Sequence, residues 1–240
     1  EPGCNVLANV VARVRSRGQG GMTHKRLADE LGKEMKALGV RSAFMDYNGF
    51  PEVICTSVNE QVVHGIPSSK VKLTDGDLLS VDIGIIYKGM IVDSATSVYV
   101  GEQSGMSKKI DNLLKTTQRS LMAGIDSITG SGTRVGTIGA AVASVLDPAG
   151  LGIVRDLVGH GVGYAVHEDP NIPNYGVAGT GPTLRAGMII AIEPMATLGD
   201  WRVNILSDGW TVVTRDNSLA AHFEHTVLIS ESGVEILTQE

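Results

Sequence analysis

Two short patterns occur twice in this chain, in the same order, and the repetition constrains the fold more than any other feature. Val63-His64-Gly65-Ile66-Pro67 and Val166-His167-Glu168-Asp169-Pro170 both read V-H-x-x-P. Downstream, the run from Leu73 through Gly76 to Asp82 is echoed by the run from Leu184 through Gly187 to Glu193. The shared reading is L-x-x-G, one residue, two large apolar residues, a small one, a β-branched one, then a carboxylate. Such an entry to a strand is common, so either pattern alone could arise by chance. Two patterns recurring in one order favour duplication. A duplicated unit folds into two similar halves whose equivalent positions can converge on one central site. Here those positions are His64, His167, Asp82 and Glu193, residue types that suit a metal-dependent active site.

At 240 residues the chain can bury ~70–75% of the surface its unfolded form would expose. We read residues 1–240 as one catalytic domain, its halves meeting near Gly101 to Gly105, at roughly 1–104 and 105–240. A net charge of −6 offers no basic face for nucleic acid. No apolar run approaches a membrane span, and no secretory leader is recognised. Cys4 and Cys55 are two cysteines in a large chain, so no disulfide framework is implied, and a reducing, cytoplasmic setting is expected. Helices are expected over Asn5–Arg17, from His24 to Leu38 with Leu27, Leu31, Met35 and Leu38 on one face, from Ser107 to Thr129, and from Val135 to Leu146. Strands are expected over Val53–Val58, Leu78–Ile86, Met90–Val100, Met188–Met195, Trp210–Thr214, Ala221–Ile229 and Val234–Leu237. These mixed blocks point to an α+β layout with an antiparallel sheet.

Asp82 and Asp93 flank a hairpin turn. A turn at Tyr87-Lys88 sets them directly opposite, and a turn at Lys88-Gly89 makes them diagonal neighbours on one face. Either way two carboxylates share one side of an apolar ribbon, where a divalent metal would remove their repulsion. Gly159-His160-Gly161-Val162-Gly163 mimics a nucleotide-binding loop, but His167-Glu168-Asp169-Pro170 follows where a helix would be needed. The glycines instead allow backbone to approach closely around His160. With Glu193 and Glu224, the set Asp82, Asp93, His160, Glu193 and Glu224 holds four carboxylates and one imidazole. That charge balances two divalent cations, and the oxygen-rich donors suit manganese, iron, cobalt or zinc. Glu168 and Asp169 are expected to be surface or loop residues.

These residues resemble the type I methionine aminopeptidases of the pita-bread fold. The match covers nearly the whole chain, through Asn59 to Pro67, the Asp82/Asp93 hairpin, Gly159 to Gly163, His167 to Pro170, Ile192-Glu193-Pro194-Met195 and Phe223-Glu224-His225-Thr226. The resemblance implies a pseudo-two-fold antiparallel sheet with helices packed on its outer face and two divalent metal ions. Asp82 would chelate the first ion, His160 and Glu193 the second, and Asp93 and Glu224 would bridge both. His64 and His167 would touch substrate without binding metal. The methionine side-chain pocket would map to Tyr47, Phe50, Cys55 and Trp210, with Phe44 and Met195 nearby. A structural monovalent cation could sit on backbone carbonyls near Asn59 and Gln61. In that family the residue before the second histidine is often phenylalanine and the one before Phe223 often glutamine. Here they are Val166 and His222, and both are expected to alter the pocket wall.

By the same resemblance the reaction is hydrolytic removal of an N-terminal methionine from nascent proteins and peptides, favouring small second residues. Glu193 would shuttle the proton of the attacking water, His167 would stabilise charge on the scissile carbonyl oxygen, and His64 would position the peptide nitrogen. The expected enzyme is a monomer that meets nascent chains, with the ribosome as a candidate partner, and binds neither nucleic acid nor membrane. Two other readings compete: another pita-bread hydrolase acting on Xaa-Pro substrates, and a non-catalytic peptide-binding module. The complete set of five ligands argues against the last.

Overall fold

The computed structural model describes residues 21–238; the helix expected over Asn5–Arg17 lies outside them. Helix α1 (His24–Ala37) starts where the Thr23 hydroxyl accepts the Arg26 N–H, at 3.2 Å. It ends as Gly39, at φ 70°, turns the chain so that Gly39 and Val40 donate to Lys36 and Met35. Leu27, Leu31 and Met35 are buried as the periodicity requires, whereas Leu38, at the cap, is 40% exposed.

The first half contains strands β1 (Arg41–Ser42), β2 (Cys55–Val58), β3 (Gln61–Val63), β4 (Leu78–Tyr87) and β5 (Met90–Tyr99). β4 and β5 form an uninterrupted antiparallel hairpin turning at Lys88-Gly89, with positive φ at both turn residues. Alternation along β4 sends Leu79, Val81, Ile83 and Ile85 into a core beneath α1. Its other face carries Ser80, Asp82 and Gly84. A Cβ on Gly84 would meet the Phe44 ring, so glycine there lets the aromatic wall approach the strand.

The second half opens with α2 (Lys108–Asp126), capped by the Ser107 hydroxyl, and α3 (Val135–Leu146), which ends at Asp147-Pro148. Its strands are β6 (Gly152–Ile153), β7 (Gly159–Gly161), β8 (Glu168–Ile172), β9 (Ile189–Ile192), β10 (Met195–Thr197), β11 (Val203–Ile205), β12 (Val212–Thr214), β13 (Ala220–His222), β14 (His225–Ile229) and β15 (Val234–Ile236). The long strands expected over Met188–Met195 and Ala221–Ile229 are each broken, at Glu193-Pro194 and at Phe223-Glu224. Leu113, Leu121 and Ile125 of α2 and Ile138 and Val142 of α3 pack with Ile190, Ile192 and Val227 in a second, larger core. Glu168 and Asp169, expected at the surface or on a loop, lie in β8, Glu168 half-buried and Asp169 exposed.

The duplicated sequence is a duplicated structure. In both L-x-x-G entries the glycine has positive φ, Gly76 at 103° and Gly187 at 88°. The turn bonds match: Asp77 N–H to Thr74 O and Met188 N–H to Arg185 O, both 3.1 Å. Gly76 donates to Val100 and Gly187 to Ile229, both 2.9 Å. Pairing then proceeds in step: Leu79 opposite Val98 is matched by Ile190 opposite Val227, and Gly84 opposite Asp93 by Met195 opposite His222. This is the pita-bread arrangement.

The halves are joined along β5. Glu224 N–H donates to Ala95 O at 2.9 Å, Ser94 Oγ to Glu224 O at 2.9 Å, and Asp93 N–H to Thr226 Oγ1 at 2.8 Å. Thr226 Oγ1 in turn donates to Asp93 O at 2.7 Å. Among the described residues no helix is long and apolar enough to cross a membrane.

Candidate active site

All five residues expected to bind metal converge at this seam. Asp82 on β4 stands opposite Ala95, and Asp93 on β5 opposite Gly84, so the two aspartates are diagonal neighbours on one face. Glu193 and Glu224 occupy the two breaks of the second hairpin. Pro194 cannot donate to a ladder, and the Glu224 N–H is turned toward the first half. Both interruptions therefore free the glutamates to face the aspartates. His160 on β7 is held close by its flanking glycines: a Cβ at Gly159 would collide with Ala191 O, and one at Gly161 with Asp169 O.

Burial decides the electrostatics. Asp82, Asp93, His160 and Glu224 are 8%, 4%, 5% and 2% exposed. Burial first, then the neighbouring carboxylates, raises Asp82 and Glu224 well above the usual carboxylate range. Burial also raises Asp93, partly offset by His160, and lifts Glu193 to about 8. Asp82 Oδ1 is buried without a partner. Among the described residues, no lysine or arginine forms an ion pair with any of the four carboxylates. His160 Nδ1 lies 2.9 Å from its own neighbour's carbonyl, Gly161 O. A carbonyl only accepts, so Nδ1 carries a proton, while Nε2 faces Glu193 Oε1, 3.4 Å away. Donor atoms of Asp93, His160 and Glu224 lie within 4.8 Å of one another. Four carboxylates and an imidazole nitrogen turned toward one another, with no lysine or arginine paired to them among the described residues, are a donor set that fits divalent metal.

The two repeated histidines lie beside this cluster. His64 ends β3 in the left-handed region, at φ 58°, a strained conformation that fixes where its ring goes. His167 sits at the exposed mouth, its ring 4.3 Å from that of His160, and its Nδ1 is 2.8 Å from Tyr47 Oη. Burial, with the neighbouring imidazoles, lowers both to about 4, so both are neutral imidazoles near neutral pH.

A cavity of about 70 Å³ opens onto the cluster. That is far below the ~300–1,000 Å³ of pockets for drug-sized ligands and is scaled to one side chain. Tyr47, Phe50, Cys55 and Trp210 line it, as expected, with Phe44 and Val166. The Phe50 and Trp210 rings meet edge-on at 5.1 Å. Two expectations are corrected. Met195 is fully buried among Val62, Val63, Val154 and Val212, away from the cavity, because β10 turns it into a satellite core. His222 does not line the wall either; it stands behind the carboxylates, 3.5 Å from Glu193 Oε2 and 4.0 Å from Glu224 Oε2. Asn174 was not singled out from sequence. It is buried, and its Nδ2 donates to Glu193 O at 3.0 Å, holding the backbone of the break. Near Asn59 and Gln61 the side chains brace the turn: Asn59 Nδ2 donates to Asp77, and Gln61 Oε1 accepts from Val58 N–H.

Residues 3–231 match the model of metallopeptidase family M24. The chain belongs to that family. Among M24 relatives it is 46% identical over 220 residues to methionine aminopeptidase A of Synechocystis, covering 92% of this chain and 85% of that protein. The crystal structure of methionine aminopeptidase from Thermotoga maritima superposes with a TM-score of 0.93 at 42% identity, covering 100% of this chain and 94% of that one. Prolidase from Pyrococcus furiosus, at TM-score 0.72 and 21% identity, shares the M24 fold, and this chain covers 62% of its length.

Proposed function

We propose that this chain is a metal-dependent aminopeptidase that hydrolyses the bond after an N-terminal methionine, in peptides and nascent proteins, favouring small second residues. The observation that carries the reading is the meeting of three buried carboxylates, the half-buried Glu193 and His160 at the mouth of a one-side-chain aromatic cavity. The high-coverage relatives named methionine aminopeptidase support the same activity, whereas the prolidase likeness supports the fold alone. Asp82, Asp93, His160, Glu193 and Glu224 would hold two divalent ions of the cobalt, manganese, iron or zinc type. Bound there, the ions would supply an acidified water and a Lewis acid for the scissile carbonyl.

The residues of the chain do the rest. Tyr47, Phe50, Cys55 and Trp210 receive the methionine side chain, and the cavity's depth sets the scissile bond beside the carboxylates. Glu193, at the edge of the cluster and lining the cavity, takes and returns the proton of the attacking water. His167, braced by the Tyr47 hydroxyl, donates to the carbonyl oxygen as charge develops. If Tyr47 donates to Nδ1, Nε2–H of His167 is left free for that contact. His64 holds the peptide nitrogen. A monovalent cation on carbonyls near Asn59 and Gln61, a single catalytic unit over residues 1–240, a monomeric cytoplasmic enzyme and contact with the ribosome belong to the same proposal.

The test is turnover of short peptides by the metal-loaded chain. Met-Gly and Met-Ala peptides should be cut much faster than Met-Lys or Met-Leu peptides. Equal rates, or rapid cleavage of Xaa-Pro peptides without methionine, would overturn it.

A further inference from the structure

His222 has no role in the mechanism above, yet its ring is the most conspicuous unused group in the molecule. It is 1% exposed, and neither ring nitrogen has a hydrogen-bond partner. Its backbone, in contrast, is pinned. Ser97 Oγ accepts the His222 N–H at 2.8 Å and donates to His222 O at 2.9 Å. That uses the single Ser97 proton, so Ser80 Oγ, 2.6 Å away, must donate to Ser97. Two serines on the β4–β5 hairpin therefore fix the strand position from which this imidazole projects.

The internal symmetry says where it projects. Met195 opposite His222 in the second hairpin is the counterpart of Gly84 opposite Asp93 in the first. His222 thus occupies the position that gives the metal cluster Asp93 in the other half. Its Nε2 accordingly lies 3.5 Å from Glu193 Oε2 and 4.0 Å from Glu224 Oε2. The chemistry of the two histidines beside Glu193 differs. His160 spends its Nδ1–H on Gly161 O and turns Nε2 toward Glu193 Oε1, and both residues line the cavity where metal is proposed to bind. His222, which does not line the cavity, instead brings Nε2 within 3.5 Å of Oε2, so that a proton there and a small movement of either side chain would make it a direct donor.

We propose that His222 is a positioning residue of the metal centre, its Nε2–H holding Glu193 Oε2 so that Oε1 is presented beside His160 Nε2. Asp93, His160 and Glu224 form the tight donor group without it, so its place is behind the ligands. This inference rests on the metalloaminopeptidase reading above.

The experiment titrates the metal-free chain with Mn²⁺ by calorimetry, for wild type, His222→Gln and His222→Leu, and records visible spectra of the Co²⁺-loaded forms. Far-ultraviolet circular dichroism establishes that each variant is folded. His222→Leu should weaken metal binding by ~10–100-fold, the usual cost of losing a partner that orients a ligand. His222→Gln, which returns an N–H at similar reach, should bind nearly as wild type. Co²⁺ band positions should be the same in all three, and at saturating metal kcat on a Met-Ala peptide should fall for His222→Leu with KM little changed. Wild-type affinity in His222→Leu, or no rescue by glutamine, would overturn the proposal. Altered Co²⁺ bands would overturn it differently, by making His222 a ligand. If wild type itself binds no metal, the reading beneath the inference fails instead.

Discussion

The two hairpins share a register and differ in continuity. In the first, β4 and β5 pair without a gap from Leu78 opposite Tyr99 to Tyr87 opposite Met90. In the second, the same pairing stops at Glu193-Pro194 and Phe223-Glu224 and then resumes in step at Met195 opposite His222. The unbroken ribbon presents two short carboxylates directly from its face. The broken one presents longer glutamates from its gaps and spends the freed Glu224 amide on Ala95 of its counterpart. A break in a ladder ordinarily weakens a sheet, at ~1 kcal/mol for each hydrogen bond left unmade. Here the unpaired amide becomes the bond that docks one half on the other, so the interruption is a feature of the site.

The largest effect should come from removing one carboxylate from each hairpin. Asp93→Ala and Glu224→Ala should each lower metal affinity by more than the ~10–100-fold typical of an orienting partner, with turnover lost in parallel. Metal titration checks this, and retention of full affinity by either variant would break the equivalence of the two hairpins. Next in size, His167→Ala should keep its metal content while kcat falls by ~10²–10⁴-fold, the range for a lost proton-transfer or charge-stabilising group. Loss of metal in His167→Ala would mean that the repeated histidines are ligands after all. Tyr47→Phe removes only the hydroxyl bracing His167, and a loss of about 1 kcal/mol, some fivefold in kcat, is expected; an unchanged rate would show that the ring needs no brace.

The smallest effect is on stability and concerns the metal-free chain. Glu193 is lifted from 4.5 to about 8 by burial, so between those values the folded state holds a proton that the unfolded state releases. Stability must then fall as pH rises through this window, since the folded form binds more protons. Asp82, Asp93 and Glu224, raised as well, act in the same direction. His64, His167, His222 and His225, lowered to about 4, act in the opposite sense below pH 6.5, so the comparison is made above it: melting temperatures of metal-stripped protein at pH 7 and pH 8 should show the lower value at pH 8. The opposite order would mean that the cluster is neutralised within the protein.

The repeat made much of this legible. L-x-x-G marked both strand entries, the spacing of Asp82 and Asp93 allowed the diagonal pairing observed, and the glycines around His160 signalled close backbone approach. What escaped was long-range. Pro194 is a local sign of the break after Ile192, but the break at Phe223-Glu224 has none, because Ala95, more than a hundred residues away, takes the Glu224 amide. Met195 was expected by the cavity and lies in a core because β10 also packs against Val62 and Val212. His222 is expected to alter the wall because it stands where the resembled family often has glutamine; only the register of the second hairpin shows it to be the counterpart of Asp93.

The seam along β5 has a consequence for how such a protein can be taken apart. Asp82 and Asp93 belong to one half, and His160, Glu193 and Glu224 to the other, with Ser94, Ser97 and Thr226 bonding across the join. Neither half holds all five of the residues proposed to bind metal. A chain cut in the connection near Gly101 to Gly105 would yield two pieces, each with a surplus of buried negative charge and no way to dispose of it alone. The ion that serves chemistry in the intact molecule would then act as the glue of a split enzyme, and recovered turnover would count reassembled pairs.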